Sequence, residues 1–198
     1  MTQIWTEQDI QDKPQIIELI DLEANKNGFK QSSDDLSGVF LQAIVASKPA
    51  GNFLELGTGA GRATAWMLQG MDADATLTSI ESDQDLIAIA QKYLGADTRL
   101  TLIHSLGEPV LESLSPLSFD LVFADTWPGK YNHLEEALRL VKIGGIYLID
   151  DMLPQPNWPE GHDLKVKNLV ETLEKDTRFK MLKMEWASGM MMLVRVKQ

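Results

Sequence analysis

Ten consecutive residues, Phe53-Leu54-Glu55-Leu56-Gly57-Thr58-Gly59-Ala60-Gly61-Arg62, constrain this chain more than any other stretch. Phe53 to Leu56 are apolar apart from Glu55, which is the pattern of a buried parallel strand. Glycine then falls at every second position, 57, 59 and 61, and a helix-like segment begins at Arg62. Glycines let a ligand lie directly against the main chain, and free amides at a helix start favour an anionic group. The stretch predicts a cleft for a nucleotide-type cofactor.

A second strand sharpens that reading. Leu77-Thr78-Ser79-Ile80-Glu81 ends in an acid, and an acid at the end of the next strand is placed to accept hydrogen bonds from ribose hydroxyls. A pyridine-nucleotide turn reads GxGxxG, whereas here Glu55 precedes GxGxG. That pattern resembles motif I of class I S-adenosylmethionine-dependent methyltransferases. Glu81 would also suit the adenosine ribose of a nicotinamide cofactor. A nicotinamide-dependent oxidoreductase therefore stays open as a different class, as does a protein that binds S-adenosylmethionine without catalysis.

Around these strands the chain alternates in period. Asp83 opens a helix with Leu86, Ile89, Ala90, Tyr93 and Leu94 on one stripe. Strands are expected at 100–104, 121–125 and 146–150, with helical segments between them at 110–114 and 131–141. Ahead of the glycine turn, a helix over 6–27 is expected to break at Pro14 and stop at Asn27-Gly28. Ser33 is expected to cap a second helix carrying Leu36, Val39, Phe40, Ala43 and Ile44. Apolar strands joined by helices call for right-handed crossovers and a parallel sheet. At the end, strands over 179–186 and 190–196 are separated only by Ala187-Ser188-Gly189, which fits a hairpin and reverses the last strand. The expected fold class is α/β: a Rossmann-like, doubly wound, seven-stranded sheet, mostly parallel, with an antiparallel C-terminal strand. In the class I methyltransferases that the motif resembles, the strand order is 3-2-1-4-5-7-6. One domain over 1–198 is expected, with an N-terminal helical cap over 1–48 and the sheet core over 49–198.

Composition narrows the partners. Lys and Arg total 18 against 29 Asp and Glu, and a net charge of −11 opposes attraction to phosphate backbones, so no nucleic-acid partner is expected. The chain has no cysteine, which excludes disulfides and thiolate ligands but leaves carboxylate metal sites open. No apolar run approaches the roughly 20 residues that span a bilayer, and the N-terminus has no basic start or apolar leader. No membrane partner and a cytoplasmic location are expected. The expected partner is a small-molecule acceptor, with a homodimer open as an assembly state.

Three aspartates make a second constellation. Asp125 ends the fourth expected strand and Asp150-Asp151 the fifth, and ligand crevices of open parallel sheets lie beyond the strand carboxyl ends. Clustered carboxylates repel unless a proton or cation neutralises them, and oxygen-only ligands suit magnesium, calcium or manganese. The segment from Phe119 to Leu153, FDLVFADTWPGKYNHLEEALRLVKIGGIYLIDDML, resembles the metal-dependent catechol and caffeoyl-coenzyme A O-methyltransferase family. The similarity runs from about Ser37, where Ser37-Gly38 resembles the family's Glu-Gly step, to the C-terminus.

That resemblance implies O-methylation of a small hydroxylated acceptor with S-adenosyl-L-methionine as cofactor and Mg2+ or Mn2+ as assisting metal. It places Asp125, Asp150 and Asp151 at the metal, with Asp125 counted as catalytic. Glu55, Gly57, Thr58, Gly59 and Gly61 would line the cofactor from the glycine turn, and Glu81 with Ser82 would hold the ribose. Ser105, Leu106 and Gly107 would border the adenine, while Asp125, Thr126 and Trp127 would complete the cleft. The chain departs from the family at several of these places. Asp151 stands where asparagine is usual, Gly59 and Ala63 replace side chains that contact the methionine part, and the N-terminal segment is short. Pro128 stands where the family has a lysine as general base, and Lys130, displaced by two residues, is expected to be a solvated side chain. A metal-independent methyltransferase using His162 or another base is the alternative within the class. Trp127 and Trp158 are open to two roles, an aromatic lid over the acceptor or a cover for the core. His104 is expected to be structural or cofactor-adjacent, and Met190-Met191-Met192 to fill a strand's core face.

Overall fold

The protein's structure, a computed structural model, describes residues 9–156 and 158–197. Among them are seven strands and seven helices, which alternate from the first strand to the sixth. In chain order they are α1 (Ile17–Lys26), α2 (Asp35–Ala46), β1 (Asn52–Leu56), α3 (Arg62–Gly70), β2 (Thr76–Glu81), α4 (Gln84–Leu94) and β3 (Leu100–His104). There follow α5 (Gly107–Ser113), β4 (Phe119–Ala124), α6 (Leu134–Leu138), β5 (Val141–Ile149), α7 (His162–Glu174), β6 (Phe179–Met184) and β7 (Met190–Arg195).

The strands form one sheet in the order β3-β2-β1-β4-β5-β7-β6. Pairs from β3 across to β5 are parallel, and β7 runs antiparallel to both β5 and β6. This is the expected α/β architecture, with the hairpin at Ala187–Gly189 reversing the last strand. Successive strand residues face opposite sides, so each buried strand feeds two cores. Phe53, Leu77, Leu121, Phe123 and Leu148 pack with Leu41, Trp66 and Met67 on one face. Leu54, Leu56, Val122, Tyr147 and Ile149 pack with Leu111, Leu138, Val166 and Leu169 on the other. No helix among the described residues is long and apolar enough to cross a membrane.

Several boundaries differ from the sequence reading, each for a local reason. The expected helix over 6–27 shortens to α1, because the chain turns at Pro14, whose carbonyl accepts from Ile17 N at 3.1 Å; residues 6–8 lie outside the described residues. Ser33 does not cap α2. The carboxylate of Asp34 takes that role, accepting from Ser37 N at 2.7 Å. The helix expected over 131–141 is only α6, since Val141 pairs with Phe119 and begins β5 nine residues long. Gly144 and Gly145 sit inside that strand at a register shift, where the ladder absorbs an irregularity.

Tight glycine turns place the site at the carboxyl ends of β1, β2, β4 and β5. Gly57 has φ +95° and Gly61 φ +99°, backbone that a Cβ disfavours. Space forbids one as well: a Cβ on Gly57 would lie 2.9 Å from Asp125 O, and one on Gly61 2.9 Å from Leu94 Cδ1. The first contact seats the turn against the β4 end, and the second packs α3 on α4.

Candidate active site

Two adjoining cavities open beyond these strand ends. The larger, about 460 Å³, is lined by the glycine turn, Glu81, Asp125, Thr126, Lys130, Asp151 and an aromatic wall of Trp127, Tyr131 and Trp158. The smaller, about 150 Å³, lies between Ile80, Glu81, Ser82, Ser105, Leu106, Gly107 and Pro128. Gly57, Glu81 and Thr126 belong to both walls. The expected cofactor residues thus gather around one continuous cleft, with two exceptions that line neither cavity, Glu55 and Gly61; of the expected metal ligands, Asp150 also lines neither.

Glu81 is preorganised by backbone. Its Oε2 accepts from Gly59 N at 2.8 Å, and its Oε1 accepts from Ser82 N at 2.8 Å and Asp83 N at 2.9 Å. These bonds aim the carboxylate into the junction of the two cavities and leave lone pairs for hydroxyl donors. The amides of Gly57 and Thr58 both donate to Ile80 O, so the turn presents close backbone rather than those donors to a ligand. Pro128 packs against Gly107, where a Cβ would lie 2.8 Å from its ring, and so forms a wall of the smaller cavity. His104 Nε2 meets Ser82 O at 3.1 Å, a structural tie beside that wall.

Glu55 does not face the cleft. It is fully buried behind the glycine turn, where its Oε2 accepts from Thr64 Oγ1 at 2.6 Å and from Ser79 Oγ, while Oε1 has no partner. Burial pushes its carboxyl up to about 7. It points to the sheet face that carries α3, because alternation along β1 puts Leu54 and Leu56 on the other side. Gly61 likewise serves packing, as the N-cap of α3.

The three aspartates converge without forming a metal site. Asp125 Oδ2 accepts from Ser33 Oγ at 3.0 Å, and Asp150 Oδ1 accepts from Asp151 N at 2.9 Å and from Ser188 Oγ. Burial raises the carboxyls of Asp125 and Asp150; for Asp125 the next cause is the charge of Asp150, and the charge of Asp151 raises both. Asp151 adopts φ +59°, left-handed backbone that asparagine and aspartate both tolerate. No group of three or more His, Asp or Glu side chains among the described residues is placed to hold a metal ion. The donor set therefore does not fit the Mg2+ or Mn2+ expected from the resemblance.

Lys130 explains much of that misfit and corrects the expectation of a solvated side chain. It is 5% exposed, its Nζ donates to Asp150 O at 2.7 Å, and it stands 3.7 Å from Asp125 Oδ1. A turn brings it back: Lys130 N and Tyr131 N both donate to Trp127 O, and Gly129 has φ +90°. Tyr147 Oη, from the neighbouring strand β5, pins the turn by donating to Gly129 O at 2.6 Å.

His162, the first residue of α7, joins the aromatic wall. Its ring centroid lies 4.6 Å from Trp158, 5.1 Å from Tyr131 and 6.2 Å from Trp127. Its Nε2 meets Tyr131 Oη at 3.1 Å, and its buried Nδ1 has no partner. Burial, then Lys165 and Lys130, hold the imidazole below its ordinary value and favour the neutral ring. Burial pushes the Tyr131 phenol up to about 12, so at neutral pH it keeps its proton, which it can donate to Nε2 when the ring carries its own proton on Nδ1. Sequence alone assigned Tyr131 and Phe29 no part in the site, and read Ser33 as a helix cap and Lys130 as a solvated side chain; only the tertiary fold brings all four to this cleft. Phe29 and Ser33 come from the segment between α1 and α2, held over the cleft by Arg62, which bonds Asp35 at 2.8 Å and donates to Ser33 O.

Comparison with known proteins gives a consistent picture. A sequence-family model described as O-methyltransferase matches residues 6–196. A Mycobacterium avium protein named as a candidate O-methyltransferase is 30% identical over 57% of this chain and 53% of its own length. The chain thus spans about half the length of that relative. A crystal structure of a candidate O-methyltransferase from Klebsiella pneumoniae superposes with a TM-score of 0.81 at 24% identity, covering 96% of this chain and 93% of that one. An O-methyltransferase from Bacillus cereus, solved in complex with SAH, superposes with a TM-score of 0.80 at 20% identity, covering 96% and 94%.

Proposed function

Because the chain belongs to the O-methyltransferase family, we propose that it transfers a methyl group from S-adenosylmethionine to an oxygen of a small-molecule acceptor. The observation that carries this reading is the junction of two cavities at Glu81 and Gly57. The smaller cavity has the flat walls of Ile80 and Pro128 for an adenine, Glu81 faces a ribose, and the glycine turn admits the amino-acid end against its backbone. When bound, S-adenosylmethionine supplies an electrophilic methyl on a positively charged sulfur and leaves as a neutral thioether.

The chain's own residues then have two tasks, alignment and removal of one proton. Trp127, Tyr131 and Trp158 form the wall against which a flat acceptor packs, with its hydroxyl toward Asp125 and Lys130. As the acceptor oxygen forms its bond to carbon, its proton passes to Tyr131 Oη while the phenol's own proton passes to His162 Nε2. That relay leaves Tyr131 neutral and His162 positively charged, which balances the proton lost by the acceptor. No step is assigned to a divalent metal, because the carboxylates of Asp125 and Asp150 are already engaged, the first by Ser33 and Lys130 and the second by Ser188.

Calorimetry with S-adenosylmethionine, S-adenosylhomocysteine and NAD tests the cofactor. Both adenosyl ligands should bind and NAD should not. Glu81→Ala should weaken the two adenosyl ligands alike by roughly 10- to 150-fold, the loss of hydrogen bonds to a charged group. Binding of NAD in preference to S-adenosylmethionine would remove the reading.

A further inference from the structure

We propose that the ammonium of Lys130 is the resident cation of this site, taking among Asp125, Asp150 and Asp151 the place that a divalent ion would otherwise fill. Its geometry stands on the structure alone; its catalytic consequence rests on the methyl-transfer reading above. Buried carboxylates need a compensating positive charge, and here the chain supplies one from its own backbone turn. Nζ sits 2.7 Å from Asp150 O and 3.7 Å from Asp125 Oδ1, and Lys130 is itself nearly inaccessible. The position is not an accident of a flexible stem. The 127–131 turn is closed by two amides on Trp127 O and pinned to β5 through Tyr147, so Lys130 Cα is held beside the carboxylates.

A dication entering the cluster would meet this ammonium at close range and would have to strip Ser33 from Asp125 and Ser188 from Asp150. Both effects work against metal. Lys130 nevertheless lines the larger cavity, and an ammonium has three N–H donors, of which Asp150 O uses one. A remaining donor can bond an acceptor oxygen and stabilise the negative charge that builds as its proton leaves. Lys130 would then serve both as the neutralising charge and as the group that lowers the acceptor's pKa.

Manganese binding, read by the electron paramagnetic resonance of free Mn2+, tests the geometry on the full chain without acceptor or turnover. The wild-type chain should leave millimolar Mn2+ free, whereas Lys130→Met, which removes the charge and keeps the length, should bind it at least tenfold more tightly. Lys130→Arg, which keeps the charge, should exclude Mn2+ as the wild type does and guards against misfolding of the methionine variant. Equal Mn2+ binding by the wild type and Lys130→Met would overturn the proposal. In turnover, wild-type activity should persist in chelator, while Lys130→Met should lose on the order of 10²-fold or more with S-adenosylmethionine affinity kept within a few-fold. Loss of wild-type activity in chelator, restored by Mn2+, would also overturn it. Failure of S-adenosylmethionine to bind at all would sink the methyl-transfer reading and leave the manganese result to decide Lys130 separately.

Discussion

Replacing Glu55 with glutamine should change how the protein's stability depends on pH, more than it changes the fold. The carboxyl is fully buried, one oxygen has no partner, and its pKa stands at about 7 against an ordinary 4.5. Below pH 4.5 the folded and unfolded chains both carry the proton, and Glu55 adds no pH dependence. Between pH 4.5 and about 7 the folded chain keeps a proton that the unfolded chain has lost, so stability falls as pH rises. Above 7 the penalty is complete. Each tenfold in a proton equilibrium is about 1.4 kcal/mol, so the rise from 4.5 to about 7 corresponds to roughly 3 kcal/mol. Glu55→Gln keeps the shape and an acceptor for Thr64 and Ser79 while removing the titration. Urea unfolding of both proteins at intervals from pH 4.5 to 8 should therefore show curves that diverge with pH, the variant being up to roughly 3 kcal/mol more stable than the wild type at the alkaline end. Asp125 and Asp150 titrate with the same sign, but they are common to both proteins and cancel in the difference. Parallel curves would refute the argument that burial holds the proton on Glu55. Ser79 Oγ also meets Thr58 Oγ1, so the same titration reaches the glycine turn.

Two further outcomes are expected. Gly38→Ala should destabilise the α2–α3 contact, because its Cβ would lie 2.2 Å from the fully buried Trp66 ring; at roughly 2 kcal/mol of overpacking the melting temperature should drop by about 4–8 °C, and an unchanged melt would show that the helices can part freely. Tyr131→Phe and His162→Gln should each slow methyl transfer by about 10²-fold or more, and the double variant should be no slower than the worse single one, as expected for two residues in one relay. Rate losses that simply multiply would separate the pair.

Local pattern carries information about periodicity and turns, and those features were legible in the chain itself. The apolar strand before Gly57, the glycines that need a bare backbone, the acid closing β2 and the three-residue hairpin before β7 each depend on residues close in sequence. Strand alternation then brings Glu81, Asp125 and Asp151 to one end of the sheet without further information. What local pattern does not contain is the direction of a side chain after a turn, or which of two oxygens meets a distant hydroxyl. Glu55 belongs to the motif, yet the pleat of β1 sends it into the core. Lys130 reads as an ordinary polar residue in a glycine-containing loop, and becomes buried only because Tyr147, on another strand, holds Gly129 in place. Ser33 reaches Asp125 across 92 positions of chain, and Lys130 reaches Asp150 across 20. Those contacts depend on the packing of β4 against β5 and of the α1–α2 segment over the glycine turn. The carboxylates were therefore visible in the sequence, whereas the charge that compensates them was decided by the tertiary fold.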